Sequence, residues 1–468
     1  MKNIVLYCCG ILLLTSISSC EKDKPENTDP HNNPFGTDYT QTTPWPKWIF
    51  SPWVWEDEGT ATSAKAIVDD YLAHDIPVGA IIIDSPWETG YNTFEADETL
   101  YPNLKGVVDY MHGKNVRVMM WITCMINTDV QPLYDTAAAR GYFMKESVNA
   151  TSPKVISWWK GDGSLIDFYN PEAVAWWKQQ MDKALAAGID GWKCDGTDYS
   201  QLYAPYSPGA GSNVTRLNYS HKYYQIFNDY TREKLGTDRV VSGRPIDNYG
   251  NTFLQGDVVA FMPKEIGWAC WVGDQDATFN GLKMALNNMY HSANYGYLSF
   301  GSDIGGYRED NDNAPYGRSK ELLIRWAQLG AFCPIMENGG GGEHRPWVFD
   351  NGNTEAVDIY RTYAKLHSKM VPYLMKTAET KFAAGQSMVH YFNSTDYSYL
   401  LGEDIFVAPI LGFGGTVTIN FPSGSNWVYL FDKSQVFTGG TSQTITYTLD
   451  KYPVFVKQGS DLETSLAP

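Results

Sequence analysis

Two aspartates carry the strongest chemical suggestion in this sequence. Asp195 ends the run Gly188-Ile189-Asp190-Gly191-Trp192-Lys193-Cys194-Asp195, and Asp274 lies in the polar turn Trp271-Val272-Gly273-Asp274-Gln275-Asp276. One ionised and one protonated carboxyl group can cleave a glycosidic bond. The first attacks the anomeric carbon and the second protonates the leaving oxygen, and enzymes that retain configuration hold the two about 5–5.5 Å apart. The same residues admit a plainer account. Strand alternation puts Lys193 and Asp195 on one side, where they would pair as ions, and Asp274 precedes a helical stretch that it would cap.

Both readings depend on the elements that carry these residues. From Trp48 onward, short β-rich runs alternate with amphipathic stretches. Strands are expected at 48–50, 79–84, 116–121, 189–195, 240–244 and 297–303, and helices near 62–74, 102–112, 171–187, 277–293, 318–329 and 354–376. Such alternation with apolar strands predicts a parallel sheet covered by helices. Asp84, Trp121, Asp195, Arg244 and Asp303 fall at the C-terminal ends of strands. That is where a (β/α)8 barrel builds its active site, so the expected fold class is α/β, a TIM barrel. An open doubly wound sheet is the alternative, but no GxGxxG or GxxxxGK segment follows a strand. Past Gln386, short runs such as Tyr399-Leu400-Leu401 and Val454-Phe455-Val456 are separated by Gly, Pro, Ser and Asn, which predicts a C-terminal all-β sandwich.

The 468 residues carry 36 basic and 53 acidic side chains, a formal charge of −17 that disfavours a nucleic-acid partner. Aromatic residues make up 14%, which suits the apolar faces and hydroxyl edges of sugar rings. Residues 1–20 read as a secretory signal, and Ile17-Ser18-Ser19-Cys20 resembles a bacterial lipobox. Cys20 would then be lipidated and anchor the chain at the outer membrane, with 21–43 as a polar tether. The catalytic barrel is expected over 44–385 and the sandwich over 386–468. Cys124, Cys194, Cys270 and Cys333 remain, without zinc spacing or the density of a disulfide framework, although one pair could bridge outside the cytoplasm.

The segments Gly191-Trp192-Lys193-Cys194-Asp195-Gly196-Thr197-Asp198, Trp271-Val272-Gly273-Asp274, Phe300-Gly301-Ser302-Asp303-Ile304-Gly305-Gly306-Tyr307 and Arg325 to Pro334, in that order, resemble glycoside hydrolase family 31. Weaker similarity runs from about Trp48 to the C-terminus. The resemblance implies a retaining exo-α-glycosidase with Asp195 as nucleophile and Asp274 as general acid/base. Asp84, Trp121, Lys193, Arg244, Trp271 and Asp303 would bind the sugar, an oligosaccharide would be the substrate, and no metal or organic cofactor would be needed. Two departures bear on this. Where the family carries Arg-x-His, this chain has Glu337-Asn338-Gly339, followed by a glycine run to His344. Glu337, Asn338 or His344 would then read a different hydroxyl pattern, which favours an α-galactosidase over an α-glucosidase or α-xylosidase. The family's usual N-terminal β-sandwich is also expected to be missing, leaving the pocket more open at one side. A transglycosylase would use the same two aspartates. A non-catalytic glycan-binding lipoprotein is the reading from another class, and the carboxylate pair argues against it.

Overall fold

The computed structural model describes residues 43–197, 205–247, 261–310 and 316–466. The expected signal peptide, Cys20 and nearly all of the tether lie outside the described residues. Thr43, the tether's last residue, is buried, as is nearby Trp45.

The chain enters through a 3-10 turn, Lys47–Phe50, and then forms strands β1 (Trp53–Glu56), β2 (Ala80–Ile83) and β3 (Arg117–Ile122), with helices α1 (Ala61–Ala73) and α2 (Leu104–His112) between them. After β3 it leaves the main sheet for a three-stranded antiparallel insertion, β4 (Met125–Asn127), β5 (Ile156–Trp158) and β6 (Gly161–Leu165), with α3 (Leu133–Ala139) inside it. It returns by α4 (Pro171–Leu185) to β7 (Gly191–Cys194) and makes a small hairpin, β8 (Tyr206–Ser207) with β9 (Ser212–Asn213). Then follow α5 (Arg216–Leu235), β10 (Val240–Gly243), β11 (Ala269–Trp271), α6 (Phe279–Tyr295), β12 (Phe300–Gly301), α7 (Lys320–Gly330), β13 (Glu337–Asn338) and α8 (Glu355–Ala383).

Eight of these strands form one parallel sheet in the order β12-β11-β10-β7-β3-β2-β1-β13. A parallel bridge between Asp303 and Glu337 joins its two ends, so the sheet rounds into a barrel with helices outside it. The TIM barrel expected from the sequence is therefore present. Strands β2 and β3 are buried along their whole length, as strands covered on both faces must be. Helix starts are set by side-chain caps: Thr60 and Ser63 close a capping box on α1, and Asn170 caps α4 ahead of Pro171.

Two details differ from expectation. Trp48-Ile49-Phe50 is a buried 3-10 turn rather than a strand, and the first barrel strand lies a few residues later. A short run of buried apolar residues does not distinguish these by periodicity. Strands β11 and β13 have no counterpart in the sequence reading, because three and two residues are too few to show a pattern. The four cysteines are buried and unbridged.

The C-terminal region is built of strands, with one short helical turn, Leu462–Ser465, after the last of them. A six-stranded antiparallel sheet is built from β14 (Val389–Tyr391), β15 (Tyr399–Leu401), β16 (Ile405–Val407), β18 (Asn426–Tyr429), β19 (Val436–Thr438) and β21 (Val454–Lys457), and a two-stranded ribbon from β17 (Thr416–Asn420) and β20 (Ser442–Thr446). Buried Arg325 on α7 ties it to the barrel, donating to the carbonyls of Tyr447 at 3.0 Å and Lys451 at 2.7 Å.

Candidate active site

A cavity of about 360 Å³ opens at the C-terminal ends of the barrel strands, lined by Trp55, Asp84, Trp121, Lys193, Asp195, Trp271 and Asp274, with Ser85, Trp159, Lys160, Tyr307 and Arg308 completing the wall. Both candidate catalytic aspartates therefore face one space, each delivered by a different strand.

Arg244 organises them. It follows β10, is fully buried, and donates from Nε to Asp195 Oδ1 at 3.0 Å while its other nitrogens pair with Asp274 and Asp247. One planar guanidinium reaching both carboxyls holds them close together, as a retaining mechanism requires. The plainer accounts of the two aspartates fail on geometry. The α6 cap is Thr278, whose hydroxyl accepts the Gly281 amide at 3.0 Å, and Asp274 stands free of that role. Lys193 pairs with Asp84 at 3.7 Å and Glu337 at 3.4 Å, and Asp195 takes Arg244.

Their environments push the two carboxyls apart. Burial opposes ionisation of Asp195, but the charge and hydrogen bond of Arg244, with help from the Gly196 amide and Lys193, hold it below the usual carboxylate range. Asp274 is pushed up to about 6, first by burial and then by the negative charges of Asp195 and Asp247, against the opposing pull of Arg244. The backbone at Asp274 is left-handed, with φ 69°, which places its side chain over the cavity. Asp303 holds that turn, accepting the Asp274 amide at 3.1 Å. Its carboxyl and that of Asp84 rise to about 8 and about 7, burial being the largest cause in each.

Aromatic groups supply the remaining wall. Trp121 donates to Asp195 Oδ2 at 3.4 Å. The indole N–H groups of Trp55 and Trp271 are buried and meet no acceptor among the described residues, although both rings line the cavity. The Lys193 ammonium sits 3.6 Å from the Trp55 ring centroid, and Tyr307 stacks on the same indole.

The residues expected to read a hydroxyl from the altered loop do not line the cavity. Glu337 is fully buried in ion contact with Lys193, and its carboxyl rises because burial outweighs that partner. Asn338 points the other way, donating to Tyr71 of α1 at 2.6 Å. Alternation along β13 makes this necessary, because neighbouring residues of a strand face opposite sides. His344 is buried behind the glycine run, with its ring nitrogens on the carbonyls of Ile304 and Gly341, each at 3.1 Å. Arg244 and Asp303 are likewise buried and absent from the lining, where they bond Asp195 and Asp274.

Gly339 explains itself through Trp55: a Cβ there would lie 2.4 Å from the indole ring. Trp55 fills the space that a side chain at this position would need. Gly339→Ala should displace the indole and lower kcat/KM by about tenfold while leaving the fold intact, because the strain falls on one wall of the cavity. Steady-state kinetics beside a thermal melt would check this, and an unchanged kcat/KM would separate Trp55 from the reaction.

The sequence reading missed Trp55, Trp159, Lys160, Tyr307 and Arg308. Trp55 was hidden by the misplaced first strand. Trp159 and Lys160 arrive on the turn between β5 and β6, from an insertion with no motif of its own. Tyr307 closes the Phe300 to Tyr307 motif, where its place on the cavity was the one readable signal.

Comparison with known proteins agrees with this arrangement. Residues 42–377 match the glycosyl hydrolases family 31 TIM-barrel domain, and residues 380–461 match the family's C-terminal domain. An α-xylosidase of Emericella nidulans is 23% identical over 441 residues, covering 89% of this chain and 53% of the relative. Alpha-glucosidase 2 of Bacillus thermoamyloliquefaciens is 25% identical, covering 91% of this chain and 54% of the relative. The crystal structure of an α-xylosidase of the same family from a soil metagenome, complexed with xylose, superposes with a TM-score of 0.75 at 20% identity, covering 90% of this chain and 65% of that one. The chain spans about half the length of the curated relatives it matches.

Proposed function

The chain belongs to glycoside hydrolase family 31, and on that premise we propose that it is a retaining exo-α-glycosidase acting on terminal α-linked sugars of oligosaccharides. The observation that carries the reading is the single Arg244 fork holding a low-pKa Asp195 and a raised-pKa Asp274 on one cavity. Ionised Asp195 attacks the anomeric carbon as the glycosidic C–O bond breaks, and the Asp274 proton passes to the departing oxygen. Water then attacks the glycosyl-enzyme, giving its proton to Asp274, and Asp195 leaves with its electron pair. The sugar comes off with its α configuration.

For the sugar itself, glucose or xylose configuration is favoured over galactose. The galactose reading rested on Glu337 and Asn338 facing the substrate, and both lie outside the cavity wall. The relatives compared above carry α-xylosidase and α-glucosidase names. The test is hydrolysis of p-nitrophenyl α-glucoside, α-xyloside and α-galactoside, with product configuration followed by NMR. Preferential cleavage of the galactoside would reverse the sugar assignment, and a β-configured first product would overturn the retaining mechanism. We also propose that Cys20 carries a lipid anchor, tested by metabolic labelling with a palmitate analogue.

The two pKa shifts fix the pH profile. Asp195 must be ionised and is held low, so the acid limb lies below the ordinary aspartate value of about 4. Asp274 must carry its proton at the start, so kcat/KM should fall about tenfold per pH unit above about 6. Asp274→Ala should abolish that alkaline limb. A wild-type profile still rising at pH 8 would exclude Asp274 as the acid.

A further inference from the structure

Beside the catalytic cavity lies a second, larger groove of about 740 Å³, on the segments that follow β2 and β3 and on α3 and α4. It adjoins the catalytic cavity at two points. Lys160 lines both spaces. Tyr91, which lines the groove, stands edge-on to Trp121 of the cavity wall at 6.1 Å between ring centroids. At the boundary Trp159, next to Lys160 on the β5–β6 turn, lines the cavity with 46% of its surface exposed.

The groove's chemistry suits a neutral, hydroxyl-rich chain. Its walls present Gln131 and Thr136 beside the Tyr91 ring, with Asn127, Gln180 and Trp176 largely buried in its lining. The charges facing it are Glu95, Asp129, Lys160 and Lys183, two of each sign, and Glu95 and Lys183 already pair at 2.7 Å. A phosphate or a polyanion would find no net positive field there. Amide and hydroxyl groups interleaved with aromatic faces are what sugar rings need. The groove is about twice the size of the catalytic cavity and within the range of about 300–1,000 Å³ typical of built ligand sites.

We propose that this groove holds the leaving-group side of the substrate: the chain passes from the catalytic cavity over Trp159 and Lys160 into the space between α3 and α4. The substrate class is then an α-linked oligosaccharide of several sugars rather than a disaccharide. The proposal rests on the glycosidase reading above.

The test compares chain lengths. Wild-type protein is assayed on α-glucosyl and α-xylosyl fluoride, on maltose, isomaltose and isoprimeverose, and on maltohexaose, isomaltohexaose and the xyloglucan heptasaccharide. At least one long substrate should show kcat/KM tenfold or more above its disaccharide. Thr136→Trp, which fills the groove from α3, should remove that advantage while kcat/KM for the fluoride stays within twofold. Gln131→Trp, placed at an exposed position, does the same job should the half-buried Thr136 variant fold poorly. No advantage of length in the wild type, or an advantage that survives both substitutions, would make the groove a solvated cleft and overturn the proposal. Failure of wild-type protein to release fluoride from either glycosyl fluoride would instead remove the glycosidase reading, which separates the two failures.

Discussion

Asp195→Ala should lose at least about 10⁴-fold in kcat/KM on aryl α-glycosides, the scale seen when a covalent nucleophile is removed from an otherwise intact site. The substitution leaves the remaining site assembled. Arg244 keeps Asp274 and Asp247 as partners, and Trp121 loses one 3.4 Å hydrogen bond. The protein should therefore fold, and the loss should lie in kcat rather than in binding. Added azide makes the assignment specific. In Asp195→Ala the anion fills the vacated space, attacks the anomeric carbon directly as the leaving group departs, and yields the β-glycosyl azide. In Asp274→Ala the covalent intermediate still forms from a substrate with a good leaving group. Azide then displaces Asp195 from it, which gives the α-glycosyl azide. Opposite anomers from the two variants identify nucleophile and acid/base separately. The same anomer from both, or wild-type turnover in Asp195→Ala, would sink the division of labour.

How much of this was readable in the sequence depends on length and direction. The carboxylates could be placed because Asp84 and Asp195 follow recognisable short buried strands, and Arg244 could be read the same way from Val240–Gly243. Trp55 could not, since Trp48-Ile49-Phe50 offers as good an apolar run as Trp53–Glu56 and only packing decides which is the strand. Strand β13 fails for another reason. Its two residues carry no periodicity, so nothing in the sequence says that Glu337 turns inward to Lys193 while Asn338 turns outward to Tyr71. The roles of Arg244 and Asp303 illustrate a third limit. Sequence assigns a residue to the site, but only geometry tells contact with a ligand from control of a neighbour. Arg244 lies behind the wall, and its work is done on two carboxyls 49 and 30 positions away. The groove between α3 and α4 had no motif, because its walls come from residues scattered over separate elements.

That placement makes Arg244 the second position where a large effect is expected. Arg244→Met keeps much of the side-chain length but removes the fork, leaving the buried carboxyls of Asp195, Asp247 and Asp274 without their shared cation. Breaking a buried charge network in this way costs about 3–5 kcal/mol, so the variant should melt well below the wild type. Its electrostatic signature differs from that of a packing defect. Arg244 is the main influence lowering the Asp195 pKa, and it also opposes the rise at Asp274. Without it both carboxyls should titrate at higher pH. The acid limb of kcat/KM moves up into the range where the wild type is fully active, and the alkaline limb moves up beyond about 6. The maximum should fall at least about 10³-fold, since neither carboxyl is then held in register. Arg244→Lys should not restore activity, because one ammonium cannot span three carboxylates that a planar guanidinium reaches at once. A folded Arg244→Met protein with both limbs at wild-type pH would show that the fork does not tune the pair. A rise in both limbs with the loss of rate would tie the two aspartates' protonation states to this single side chain.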